Sequence, residues 1–135
     1  MQITLHLGLE KTATSLIQSP LVSGPHYSYI GHNINASVSL EELNKSWNAF
    51  VMADFKSQKT EKILLQLENN LKAISGANNV RHLVISDERP TSVFGFETET
   101  ILFHLAKILG QLDSVTVDKI VLTTRAWVKS KIQCK

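Results

Sequence analysis

The chain has 135 residues, 43% of them hydrophobic and 19% charged, with a formal net charge of +2 at pH 7. A single domain of this size can bury roughly two-thirds of the surface its unfolded chain exposes. So small a charge, with no local basic patch, argues against a nucleic-acid or membrane-surface role. The lone cysteine, Cys134, excludes an internal disulfide framework and a thiolate metal site and fits a reducing compartment. No basic leader precedes an apolar core, and no apolar run approaches the ~18 residues of a membrane span. The expectation is a single cytoplasmic domain over residues 1–135.

In chain order, Ile3, Leu5 and Leu7 alternate with Thr4 and His6, the period of a strand, and Gly8 permits a sharp turn before the pattern changes. A helix start follows, carrying Lys11, Thr12, Thr14 and Ser15. Ser19-Pro20 and Ser23-Gly24-Pro25 then break regular structure, and the segment to Ser37 reads as a loop. Its His26, Tyr27, Tyr29 and His32 either line an acceptor pocket or belong to a plain surface loop. Ser39-Leu40-Glu41-Glu42 has capping-box spacing, and Leu40, Leu43, Trp47, Phe50 and Val51 recur on one face of a helix ending near Phe55. Lys59 to Ser75 is a second helix, striped by Ile63, Leu64, Leu67, Leu71 and Ile74, with Gly76 as its terminator.

Val80 to Ser86 reads as a strand whose Leu83-Val84-Ile85 centre suits burial on both faces. Glu97 to Leu109 returns to helical period, with Ile101, Leu102, Leu105, Ile108 and Leu109 inward, His104 beside the stripe and Gly110 as the stop. Lys119 to Thr124 is the next strand; Arg125 stands at its end, before a helix through Ile132. This alternation predicts an α/β domain with right-handed crossovers around a mainly parallel sheet. Ligands bind outside the carboxyl ends of the strands in such sheets, where the segments beginning at Gly8, Asp87 and Arg125 fall.

Each segment carries chemistry and a plainer alternative. Lys11 at the positive end of a helix dipole is locally unfavourable unless an anion is shared there, and the amides of the helix start together with Thr12, Thr14 and Ser15 could surround one. The plainer reading has a threonine capping the helix and Lys11 pointing to water. Of the acids Asp87 and Glu88, Glu88 is the better general base, because Asp87 can cap the turn; a simple ion pair of Glu88 with Arg89 or a lysine is the alternative. Arg125 suits a phosphate because its planar donors can take two oxygens at once, and an ordinary surface arginine is the other reading.

Gly8-Leu9-Glu10-Lys11-Thr12-Ala13-Thr14-Ser15 resembles the 5′-phosphosulfate-binding loop of the sulfotransferase family, with Glu10 where proline is common and Ala13 where glycine is common. It lacks the second glycine that Walker A places before Lys-Thr. Ile120 to Arg125, followed by Ser130, resembles the family's 3′-phosphate-binding element, although Ser130 lies closer to the arginine than the family's serine commonly does. The resemblance implies a three-layer α/β sandwich of the P-loop nucleoside triphosphate hydrolase type. It implies a sulfotransferase using 3′-phosphoadenosine 5′-phosphosulfate and no metal, with a hydroxyl or amine acceptor, a carbohydrate or other small molecule. Gly8, Lys11, Thr12, Ala13, Thr14, Ser15, Arg125 and Ser130 would hold the donor, and Lys11 and Glu88 would be catalytic.

Family members are usually about twice this long, so a domain lacking a C-terminal portion is one expectation, and an unpaired sheet edge would then invite homo-oligomers. Two alternatives stand beside the enzyme: a magnesium-dependent P-loop nucleotide kinase or phosphotransferase, and a non-catalytic nucleotide-binding or interaction domain.

Overall fold

The computed structural model describes residues 1–8, 28–31, 40–77, 80–91 and 98–123. Its elements are β1 (Gln2–Gly8), β2 (Ser28–Gly31), α1 (Glu41–Val51), α2 (Thr60–Gly76), β3 (His82–Asp87), a short 3-10 turn (Arg89–Thr91), α3 (Thr98–Gly110) and β4 (Thr116–Thr123). The four strands form one sheet in the order β2-β3-β1-β4. Every neighbouring pair is parallel. The α/β expectation therefore holds in its coarse form: an all-parallel sheet with helices between its strands.

One face of the sheet makes the core. Ile3 and Leu5 of β1, Ile30 of β2, and Leu83 and Ile85 of β3 join Leu43, Trp47, Phe50, Leu67, Leu71, Ile101 and Leu105 in a single buried cluster. All three described helices therefore pack on this face. The amphipathic periods explain why: Leu67 and Leu71 lie one helical turn apart and both are fully buried. The opposite face is polar for a parallel sheet, carrying Thr4, His6, Tyr29, His82 and Ser86 with Val84. Parallel strands are usually apolar on both faces.

Several boundaries differ from those read in the sequence. Ser28–Gly31, expected as loop, is strand β2, paired with Leu83 to Ser86. Gly31 has φ +155°, and a Cβ there would lie 1.9 Å from the Ser86 carbonyl oxygen, so only glycine permits this approach of β2 to β3. Helix α1 stops at Val51 rather than near Phe55: the Ala53 amide donates to the Phe50 carbonyl in a tightened last turn, and the Asp54 carboxylate then accepts from the Lys56 amide at 3.1 Å, closing a turn in place of further helix. Its N-cap is Leu40, without a side-chain cap bond; Ser39 lies outside the described residues. Gly76 and Gly110 are the last helical residues rather than left-handed caps, Ala77 closing α2 with an ordinary helical φ of −77°. β4 begins at Thr116, before the expected Lys119, and bulges between Val117 and Lys119. The helices expected to begin after Gly8 and after Arg125 lie outside the described residues. Among the described residues, no helix is long and apolar enough to cross a membrane.

Two substitutions test this packing. Leu71→Ala should lower unfolding stability by about 2–5 kcal/mol in a urea titration, the usual result of a cavity at a fully buried leucine. Gly31→Ala should be more damaging than its single methyl suggests, because the clash is with backbone; urea unfolding with amide exchange on β2 would read it.

Candidate functional site

Two adjacent elements, the β1 and β3 carboxyl ends, are pinned in register: Leu7 is opposite Asp87. On the other side of β1, Gly8 is opposite Thr123 of β4. Because β1 lies between β3 and β4, the starts of the segments after Gly8, Asp87 and Thr123 sit side by side along one sheet end. The direction in which the chain steps across the sheet also reverses here: β1 is followed by β2 on the far side of β3, and β3 by β4 on the far side of β1. Reversals of this kind mark ligand sites in open α/β sheets.

The best-defined chemistry at this end centres on Asp87, which is fully buried. Strand period explains the burial. Asp87 follows Leu83 and Ile85 onto the helical face, where its carboxylate meets Trp47 of α1. Trp47 Nε1 donates to Oδ2 at 2.9 Å. Arg89 Nη2 donates to the same oxygen at 2.6 Å and Arg89 Nε donates to Oδ1 at 2.9 Å, a fork-to-fork ion pair. Arg89 Nη2 also donates to Asn48 Oδ1 at 2.6 Å. The Arg89 amide donates to Oδ1 at 2.9 Å. This last bond closes a turn from Asp87 to Arg89 with Glu88 at its apex, so Asp87 caps the turn as its sequence position suggested.

Glu88, half-buried, leaves the sheet between these two anchored residues. Trp47 continues the network away from the strand end, through Phe50 at 5.6 Å between centroids and Phe55 at 5.9 Å to His104, stacked on Phe55 at 5.1 Å.

On the polar face, the His6 Nδ1 and Ser86 hydroxyl share a hydrogen bond of 2.7 Å whose direction the imidazole tautomer sets. Thr4 Oγ1 and His82 Nε2 make a similar one at 2.7 Å. The Tyr29 hydroxyl is buried and, among the described residues, makes no hydrogen bond of good geometry. Burial pushes its pKa up to about 12, the neighbouring Ser86 hydroxyl offsets only part of this, and the Asp87 charge adds to it. Burial also holds the His6 imidazole below its ordinary value. Ser86 is wholly enclosed, so the His6–Ser86 pair is not an exposed nucleophile with its base.

Of the residues singled out in the sequence, Gly8 and Glu88 are described and stand on neighbouring strand ends. Lys11, Thr12, Ala13, Thr14, Ser15, Arg125 and Ser130 lie outside the described residues, as do His26, Tyr27 and His32. Tyr29 lies on β2 in the buried polar face and does not line an open loop. The roles of Trp47, Asn48 and Arg89 at Asp87 were missed. Trp47 looked like one more apolar position of an amphipathic stripe, and its indole N–H was the available signal.

An open groove of about 690 Å³ between α2 and α3, lined in part by Glu61, Leu64, His104 and Lys107, includes none of Gly8, Asp87, Glu88 or Thr123. Among the described residues no group of His, Cys, Asp and Glu is arranged to hold a metal ion. Comparison with family models, curated proteins and solved structures gives no match.

Breaking the Asp87 network should cost unequally. Asp87→Asn leaves Arg89 buried without its counter-charge and should cost about 3–5 kcal/mol. Trp47→Phe removes one donor and should cost about 1–3 kcal/mol, both read from urea midpoints. The sign for His6 follows from its depressed pKa: the unfolded state takes up the proton first, so stability is complete above the ordinary value of 6.5 and falls as pH drops through the folded pKa. His6→Gln should flatten that part of a stability-against-pH curve.

Proposed function

We propose that this protein is a sulfotransferase, moving a sulfuryl group from 3′-phosphoadenosine 5′-phosphosulfate to a hydroxyl or amine of a small-molecule or carbohydrate acceptor. The observation that carries the reading is the strand order: β1 lies between β3 and β4, so the segments bearing Lys11, Glu88 and Arg125 start from three adjacent strand ends. Cations and hydroxyls after the adjacent strands β1 and β4 suit a donor that is anionic at both ends, and a carboxylate after β3, on the other side of β1, suits proton removal. A P-loop-like, three-layer arrangement and a cytoplasmic setting belong to the same proposal.

In this scheme the amides and hydroxyls of the Lys11-Thr12-Ala13-Thr14-Ser15 segment bind the 5′ end of the donor. Arg125, with Ser130, binds the 3′-phosphate. Glu88 accepts the proton of the acceptor as the new oxygen–sulfur or nitrogen–sulfur bond forms. Lys11 neutralises the charge that collects on the bridging oxygen as the old sulfur–oxygen bond breaks, releasing 3′-phosphoadenosine 5′-phosphate. The turn closed by Asp87 keeps Glu88 at a fixed exit from the sheet.

The kinase alternative needs a carboxylate for magnesium, for which Asp87 is the natural candidate. Both oxygens of Asp87 are engaged by Arg89, and one also by Trp47, an arrangement that suits a structural anchor better than a metal ligand.

Calorimetric titration of 3′-phosphoadenosine 5′-phosphate, beside adenosine diphosphate with and without magnesium, tests the reading. Binding should require the 3′-phosphate and ignore magnesium. Arg125→Ala and Lys11→Ala should each weaken it by about tenfold or more, the scale of losing a charge-assisted contact. Glu88→Gln should leave it unchanged. A preference for adenosine diphosphate with magnesium would favour the kinase; no binding by the folded protein would favour a non-catalytic domain.

A further inference from the structure

Strand β4 is unlike the other strands. It lies at the end of the sheet order, with β1 as its neighbour among the described residues. From Thr116 to Leu122 its side chains are exposed on both faces: Ile120 is 62% exposed, Leu122 61%, Val121 41% and Val117 38%. A long apolar edge of this kind is a template for pairing with another strand. Lys119 is the one lysine on this edge, and it stands directly beside Asp118.

The bulge decides which partner strand fits. Val117 is opposite Ile3 of β1 and Lys119 is opposite Thr4, so Asp118 is the extra residue. Val117 therefore shares a sheet face with Ile120, opposite Leu5, although the two are an odd number of residues apart. Thr116, opposite Gln2, likewise shares the other face with Val121, opposite His6. In an antiparallel pair, residues directly opposite must point to the same face. An unbulged strand meeting its own copy can match only residues separated by even numbers. This bulged strand also satisfies the rule about a two-fold axis midway between Asp118 and Lys119.

That register is self-complementary. Val117 meets Ile120 of the second copy, Thr116 meets Val121, and Asp118 meets Lys119, each pairing occurring twice. An axis through Lys119 would oppose two lysines. An axis through Ile120 would set Val117, opposite Ile3, against position 123, opposite Gly8, and positions 3 and 8 of β1 belong to different faces of the sheet. An axis through Val121 would pair only Lys119 to Thr123 within the strand and leave Asp118 outside the ladder.

We propose that β4 is a homodimer interface in which two copies of this chain pair antiparallel about that two-fold axis, joining the four described strands of each copy into one continuous sheet. The interface is isologous, with the same patch on both partners. Opposite charges at Asp118 and Lys119 select the register, and the apolar residues on either side supply the contact area. The inference is independent of the proposed chemistry.

Charge exchange tests it, because both residues are exposed and their substitution leaves the core intact. Sedimentation velocity over a concentration series, under reducing conditions that keep Cys134 as a thiol, should show the wild type in a monomer–dimer equilibrium. Asp118→Lys faces Lys119 of the partner, and Lys119→Asp faces Asp118. Each substitution acts twice across the axis and should weaken association by about tenfold. The double exchange Asp118→Lys with Lys119→Asp restores opposite charges and should recover the wild-type constant. A wild type that stays monomeric, as it would if residues 124–135 of the same chain occupied the edge, overturns the proposal. So does a dimer indifferent to both single exchanges, or a double exchange that fails to recover.

Discussion

The buried carboxylate of Asp87 is the constraint on which this sheet end depends. An ionised carboxylate without water is costly unless donors surround it, and here three donor groups come from two residues: the Trp47 indole of α1, and the side chain and backbone amide of Arg89. Each tie has a structural consequence. The indole fixes α1 over the carboxyl end of β3, the guanidinium is held between Asp87 and Asn48, and the amide bond shapes the turn that carries Glu88. Stability and site geometry are therefore coupled through one side chain.

The two faces of the sheet divide the remaining tasks. The helical face is a continuous apolar core from Ile3 to Val115, interrupted at the strand end by Asp87. The other face carries hydrogen-bonded polar pairs, His6 with Ser86 and Thr4 with His82. These pairs tie β1 to β3 through side chains as well as through the ladder. The His6 pair also makes that contact pH-sensitive, because burial disfavours the charged imidazole. Among the described residues, strand β4 has neither kind of protection, and its bulge gives that apolar edge a specific complement.

Much of the architecture was legible in order and period. Three helices announced themselves by spacings of three to four residues and β1 by a spacing of two, because burial on one face imposes those repeats, while β3 and β4 showed as short continuous apolar runs. β2 escaped notice because Ser28 to Gly31 is four residues long, too short to show a period, and is held by pairing with Leu83 to Ser86 far along the chain. The end of α1 was misplaced for a local reason: Asp54 offers the backbone an alternative to another helical turn, which an apolar stripe does not reveal.

For the candidate site, the sequence alone determined the chemical inventory: a lysine with hydroxyls after the first strand, two acids after the third, and an arginine after the fourth. It also implied that these belong at the carboxyl ends of parallel strands, since alternating strands and helices leave little other choice. Only the tertiary structure decided which strands are neighbours, because lateral order depends on long-range packing that leaves no periodic trace. The sequence already suggested that Asp87 caps the turn; only the tertiary structure showed that its carboxylate is buried against Trp47 of α1. The bulge at Asp118 was decided there as well, since it exists only through the pairing of β4 with β1.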